Sequence, residues 1–178
     1  MGAALARKLA KEGYTLALLA RRKDKLNELC AEINSAANET RVVSYVHDVA
    51  NYDEVPALLN KIVADLGGLD LVVFMAGVNF PPGLTSYNFE GDRKMIEVNL
   101  IGTFNVLSKF AARLAAAEPV GEERGVIVNT ASVAAFDGQI GQAAYASSKA
   151  GVAGMTLPVA RDLAQHLIRV VTIAPGIF

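Results

Sequence analysis

Apolar positions along the chain follow two rhythms that take turns. Three-and-four spacing over residues 3–12, closed by Gly13, predicts a helix, and the apolar run 14–20 that follows predicts a strand. The pair repeats as a helix over 24–36 with a strand at 41–46, then a helix over 53–66, closed by Gly67 and Gly68, with a strand at 71–75. A longer helical stretch spans 89–117, with Met95, Leu100, Phe104 and Leu107 at helix spacing. A turn at 118–124 separates it from a strand at 125–130. A small-residue helix over 142–165 and a strand at 169–173 complete the pattern, which Pro175 and Gly176 break.

Segments such as 71–74 and 126–128 stay apolar without alternating, as strands do when both faces are covered. The expected fold is therefore α/β: a doubly wound, Rossmann-like parallel sheet with helices on both faces. In such a sheet ligands sit beyond the carboxyl ends of the strands. The loops beginning at Arg21, His47, Ala76, Ala131 and Ala174 then share one rim, where the chemistry is to be sought.

Composition narrows the partners more than it names them. With 178 residues, 52% of them hydrophobic, the chain can fill one substantial core, so one domain over 1–178 is expected. Seventeen basic and 18 acidic residues leave a net charge of −1, which gives no long-range pull toward nucleic acid or an anionic membrane. No uncharged apolar run approaches the roughly 18 residues of a membrane span, and M-G-A-A-L-A lacks the hydroxyl residue at position 6 that myristoylation requires. A cytoplasmic protein is the expectation. Cys30 has no partner within the chain and sits on a predicted helix face, which suits packing. His47 and His166 are isolated, so no metal is implied.

One pair of residues carries chemistry. Tyr145 and Lys149 stand four apart in the helix predicted over 142–165, a rise of about 6 Å that returns to the same face. An ammonium within about 4–6 Å of a phenol favours the phenolate and so eases proton exchange. Ser132, just past the strand 125–130, would bring its hydroxyl to the same rim and steady a substrate oxygen. Taken alone, a Tyr and a Lys at this spacing are more often a solvated helix face. The catalytic reading asks more of them: phenol and serine close together, and an amine not taken up by another partner.

Five motifs in order shift that balance. Y-A-S-S-K at 145–149, V-I-V-N-T-A-S at 126–132, V-N-L-I-G at 98–102, H-D-V at 47–49 and T-I-A-P-G at 172–176 resemble those of the short-chain dehydrogenase/reductase family. The resemblance implies an NAD(P)-dependent oxidoreductase that interconverts a secondary alcohol and a ketone, small-molecule substrates for an enzyme that is a homo-oligomer when full length. It implies Tyr145 as acid/base, Lys149 as the cation beside it that also holds the nicotinamide ribose, Ser132 on the substrate oxygen and Asn99 in a water-mediated proton relay. On the cofactor side it implies Gly2, Asp48, Val49, Ala76, Gly77, Pro175, Gly176 and Phe178. At the end of the strand 14–20, Ala20 occupies the position of the acidic residue that binds the ribose of NAD. Arg21 and Arg22 follow it, which favours NADP(H) over NAD(H), with NAD(H) still open. Within the family, 129–145 and 154–164 look most like the type-2 3-hydroxyacyl-CoA dehydrogenase branch, which points to a 3-hydroxyacyl thioester or a similar alcohol.

Three features depart from the family pattern. Its first strand and T-G-x-x-x-G-x-G loop are represented only by Gly2, Met75 replaces an asparagine before Ala76-Gly77, and the family continues beyond Phe178. Two structural expectations follow: Met75 fills core, and a gap opens between the strands 14–20 and 71–75, which their direct pairing would relieve. Weak or absent dinucleotide binding is expected of these 178 residues by themselves. A noncatalytic fragment, or an inactive partner in an oligomer of such an enzyme, is the alternative. A Rossmann-type methyltransferase ranks far lower, because it has no need of Ser132, Tyr145 and Lys149 together.

Overall fold

The computed structural model describes residues 1–37, 39, 41–80 and 88–176. They form two compact units, Met1–Gly68 and Leu69–Phe178.

The first unit runs α1 (Gly2–Lys11), β1 (Leu16–Ala20), α2 (Lys23–Ala37), β2 (Val42–Val46), a 3-10 turn (Tyr52–Glu54) and α3 (Val55–Leu66). Gly13, at φ +95°, turns the chain out of α1 in a conformation that costs an L side chain strain. β1 and β2 pair in parallel, Leu16 opposite Val42 and Ala20 opposite Val46. Helix α2 buries Leu26, Cys30 and Ile33, four and three residues apart on one face. The last two join Ala6, Ala10 and Val42 in the core of the unit. Cys30 is thus the packing residue its position suggested, and burial pushes its thiol pKa up. Asn34 fixes the entry to β2: its side chain accepts from the amides of Arg41 and Val42 and donates to the Val42 carbonyl, each at 2.9 Å.

The second unit centres on three parallel strands in the order β3 (Leu71–Phe74), β4 (Gly125–Thr130), β5 (Ile168–Ile173). β4 lies in the middle, with Leu71 opposite Val126 on one side and Ile168 opposite Gly125 on the other. The stretch read as one helix over 89–117 is three pieces: α4 (Phe89–Ile96), a π-helical segment (Glu97–Gly102) and α5 (Thr103–Ala115). Helix α6 (Ala143–Ala164) packs along β5 and against α4 and the π segment. Ile127, Leu114, Met95 and Val152 are fully buried between these layers, and Phe74 meets Phe110 edge-on with ring centroids 6.3 Å apart.

The parallel α/β architecture is the one expected, but the five strands make two sheets instead of one. β1 and β3 belong to different sheets, so the direct pairing of 14–20 with 71–75 is not formed.

Candidate active site

In the second unit the site grows out of the end of β4. The ladder continues one residue past the strand, where the Ala131 amide donates to the Ile173 carbonyl at 2.8 Å. Ser132 follows in extended backbone, and its Oγ accepts from the Ala134 amide at 3.1 Å, capping the 3-10 turn Val133–Ala135. The Val133 amide donates to the Pro175 carbonyl at 3.0 Å, which ties the Pro175-Gly176 turn to the same rim. α6 packs on that 3-10 turn and presents Tyr145, half-buried, in its first turn.

One turn further along α6, Lys149 is only 4% exposed. Its Nζ lies 5.9 Å from the centroid of the Tyr145 ring, so the pair meets as the spacing required. The amine is also buried against another partner, the Thr130 carbonyl at 2.7 Å, which the catalytic reading asks it not to have. That partner is neutral. An ammonium has three hydrogens to donate, and a single carbonyl leaves its charge uncancelled. Among the described residues no carboxylate pairs with it. Burial therefore pushes the Lys149 pKa below its ordinary value, which makes the ammonium a readier proton donor.

Asn99 is fully buried in the π segment, a geometry whose widened turn is frequent at functional sites. Its Oδ1 accepts from the Val78 amide at 2.7 Å, and its Nδ2 donates to the Val78 carbonyl at 2.9 Å and to Ser148 Oγ at 3.1 Å. Its own carbonyl accepts from Thr103 Oγ1 at 2.8 Å. Gly77 lies beside both polar groups: a carbon added there would stand 3.4 Å from Asn99 Oδ1 and from Lys149 Nζ. Ala76 and Gly77 are exposed. Met75 is only half-buried, and its Sδ accepts from Thr130 Oγ1 at 3.3 Å, so besides filling space it links the ends of β3 and β4.

In the first unit Arg21 and Arg22 follow β1 and are exposed. The His47 amide extends the ladder to the Ala20 carbonyl at 3.0 Å, which brings Asp48 to the carboxyl end of β2. Asp48 Oδ1 accepts from the Ala50 amide at 3.0 Å in a tight local turn, and Oδ2 lies 3.8 Å from Arg21 Nη1. Val49 is half-buried beside it. Gly2 is the first residue of α1, with open space around its α-carbon. Phe178 lies outside the described residues.

The second unit therefore gathers Ser132, Tyr145, Lys149, Asn99, Ala76, Gly77, Pro175 and Gly176 at the carboxyl end of its sheet, and the first gathers Arg21, Arg22, Asp48 and Val49 at the end of its own. The model of the family described as short chain dehydrogenase matches residues 1–178. The chain belongs to that family. A 3-hydroxyacyl-CoA dehydrogenase type-2 from Drosophila melanogaster is 45% identical over 186 residues, an alignment covering all of this chain and 71% of the fly protein. The human protein of the same name is 48% identical over 139 residues, covering 74% of this chain and 53% of the relative. The chain thus spans between about half and seven-tenths of these short-chain dehydrogenases. Among solved structures, NAD+-bound xylitol dehydrogenase superposes with a TM-score of 0.90 at 31% identity, covering 98% of this chain and 65% of that one. An alcohol dehydrogenase from the archaeon Thermococcus sibiricus, complexed with 5-hydroxy-NADP, gives 0.87 at 27%, covering 98% and 71%.

Two contributors to this short-chain dehydrogenase site escaped the sequence reading: the Thr130 carbonyl under Lys149, and Ser148. The carbonyl leaves no trace in a sequence. Ser148 left one, a hydroxyl three residues past Tyr145 and next to Lys149.

Proposed function

We propose that this chain carries the acid–base chemistry of an NAD(P)-dependent oxidoreductase that interconverts a secondary alcohol and a ketone, with 3-hydroxyacyl thioesters as the first substrate class to test. The observation that carries the reading is the buried Lys149 amine beside the Tyr145 ring, with a neutral carbonyl as partner. In that reading Tyr145 Oη gives its proton to a carbonyl oxygen in reduction and takes one from an alcohol in oxidation. Ser132 Oγ accepts from Ala134, which leaves its own hydrogen to donate to the substrate oxygen. Asn99 belongs to the route by which Lys149 is reprotonated.

A nicotinamide dinucleotide fits the residues present. Exposed Gly77, with no side chain to crowd Lys149 Nζ, and the Pro175-Gly176 turn suit its nicotinamide end. Asp48, Val49 and Gly2 suit the adenine and phosphate end, and Arg21 and Arg22 suit a 2′-phosphate, which favours NADP(H). When bound, the dinucleotide supplies or accepts the hydride. The name of the fly relative supports the 3-hydroxyacyl thioester. A single nucleotide-binding domain over residues 1–178 is also proposed, a reading that the family match over those residues supports. A homo-oligomer is also proposed, in keeping with the large apolar side chains that Ile101 and Phe104 expose on the π segment and α5.

The test is to supply a 3-hydroxyacyl-CoA with NADP+ or NAD+ to the purified full-length protein and follow reduced nicotinamide. Formation of ketone and reduced cofactor in equal amounts is expected. Binding of both ligands without turnover would refute the assignment.

A further inference from the structure

In a buried network each proton has a direction, and Ser148, which is fully buried, has only one to give. It goes to the Tyr145 carbonyl at 2.7 Å, an acceptor with nothing to donate in return. Ser148 Oγ is thereby left to accept, and Asn99 Nδ2 donates to it at 3.1 Å. The other hydrogen of the same amide nitrogen goes to the Val78 carbonyl at 2.9 Å, while Oδ1 takes the Val78 amide at 2.7 Å. Each of these four donated hydrogens meets an acceptor.

We propose that Ser148 is a positioning residue. It holds the Asn99 amide against residue 78 and so braces the loop after β3 to the turn of α6 that carries Tyr145 and Lys149. Among its described residues, Phe80 also holds the loop through its amide on Met95 Sδ at 3.4 Å, and sulfur is a weak acceptor. The brace keeps the backbone at Gly77 alongside Lys149 Nζ, the face on which a dinucleotide is proposed to lie. Without the Ser148 oxygen, Asn99 retains a buried N–H with no acceptor, and the amide recovers one only by turning away from Val78. Only the purpose of the brace depends on the roles proposed for Tyr145 and Lys149; its geometry does not.

Native-state amide exchange, resolved by residue with NMR, tests it on the protein and its Ser148→Ala and Ser148→Thr variants. Ser148→Ala should speed exchange at Val78 by about tenfold or more and leave the β4–β5 ladder amides unchanged, as a local opening would. Ser148→Thr keeps the hydroxyl and should restore Val78 to within about threefold of the parent. If Ser148→Ala does not fold, Ser148→Cys takes its place, its weaker thiol giving an intermediate acceleration. Unchanged exchange at Val78, equal acceleration throughout the ladder, or failure of threonine to rescue would overturn the brace. Each of those results would leave the redox reading intact, because that reading falls only with turnover.

Discussion

Lys149 is a cation placed where charge is penalised, and that gives its chemistry a signature in stability. Its pKa in the folded protein is lowered by burial, whereas in the unfolded chain it returns toward about 10.4. Between those two values the unfolded state binds more protons than the native state, so stability rises with pH across that window. Below the folded pKa the full penalty applies. Lys149→Met has no such group, so the parent should gain stability relative to the variant as pH rises from the lowered folded pKa toward about 10, measured by denaturant unfolding at each pH. A constant difference would mean that the amine is not desolvated as the geometry indicates. Tyr45 has the opposite sign. Burial, together with its hydrogen bond to Asp65 at 2.7 Å, raises its pKa to about 12. The stabilisation is present below the ordinary phenol value near about 10 and is lost as pH climbs through the folded value. Tyr45→Phe should remove that alkaline loss, read in the same titration.

The helices and strands were legible because periodicity reports burial, and burial decides most of the packing. The strand read at 125–130 is β4 residue for residue, since an apolar run flanked by turns allows little else. The π segment was not legible. A widened turn keeps its residues at nearly helical spacing, so Met95, Leu100, Phe104 and Leu107 read as one continuous helix when three pieces are present. The crowding around individual glycines was hidden for a similar reason, because sequence records the missing side chain but not what would meet it. A carbon on Gly125 would stand 2.8 Å from the Asp70 carbonyl oxygen and from Leu114 Cδ2, whereas one on Gly154 in α6 would meet nothing within 4 Å. Gly125→Ala should therefore cost about 1–3 kcal/mol by overpacking. Gly154→Ala should stabilise by up to about 1 kcal/mol through helix propensity. Thermal and denaturant unfolding of the two variants checks both signs.

At the scale of the chain, the five ordered motifs identified the family, and Tyr145 with Lys149, and Asn99 with Gly77, are neighbours in the second unit. What sequence could not supply was the through-space part: the carbonyl beneath Lys149 and the Ser148–Asn99–Val78 chain, where partners 21 and 49 residues apart meet. The preference proposed for NADP(H) rests on the charge at the end of β1. Replacing Arg21 and Arg22 together by serine should weaken NADP(H) by about tenfold or more and NAD(H) far less, read by calorimetric titration, because a guanidinium pairs with the 2′-phosphate that only NADP carries. The central claim is that Tyr145 Oη moves the proton. Its most direct test compares turnover of a secondary alcohol by the protein and by Tyr145→Phe, with dinucleotide affinity measured on the same samples. The account predicts that turnover falls by about 10²-fold or more while affinity stays within a few-fold. Turnover near the parent rate in Tyr145→Phe would contradict it.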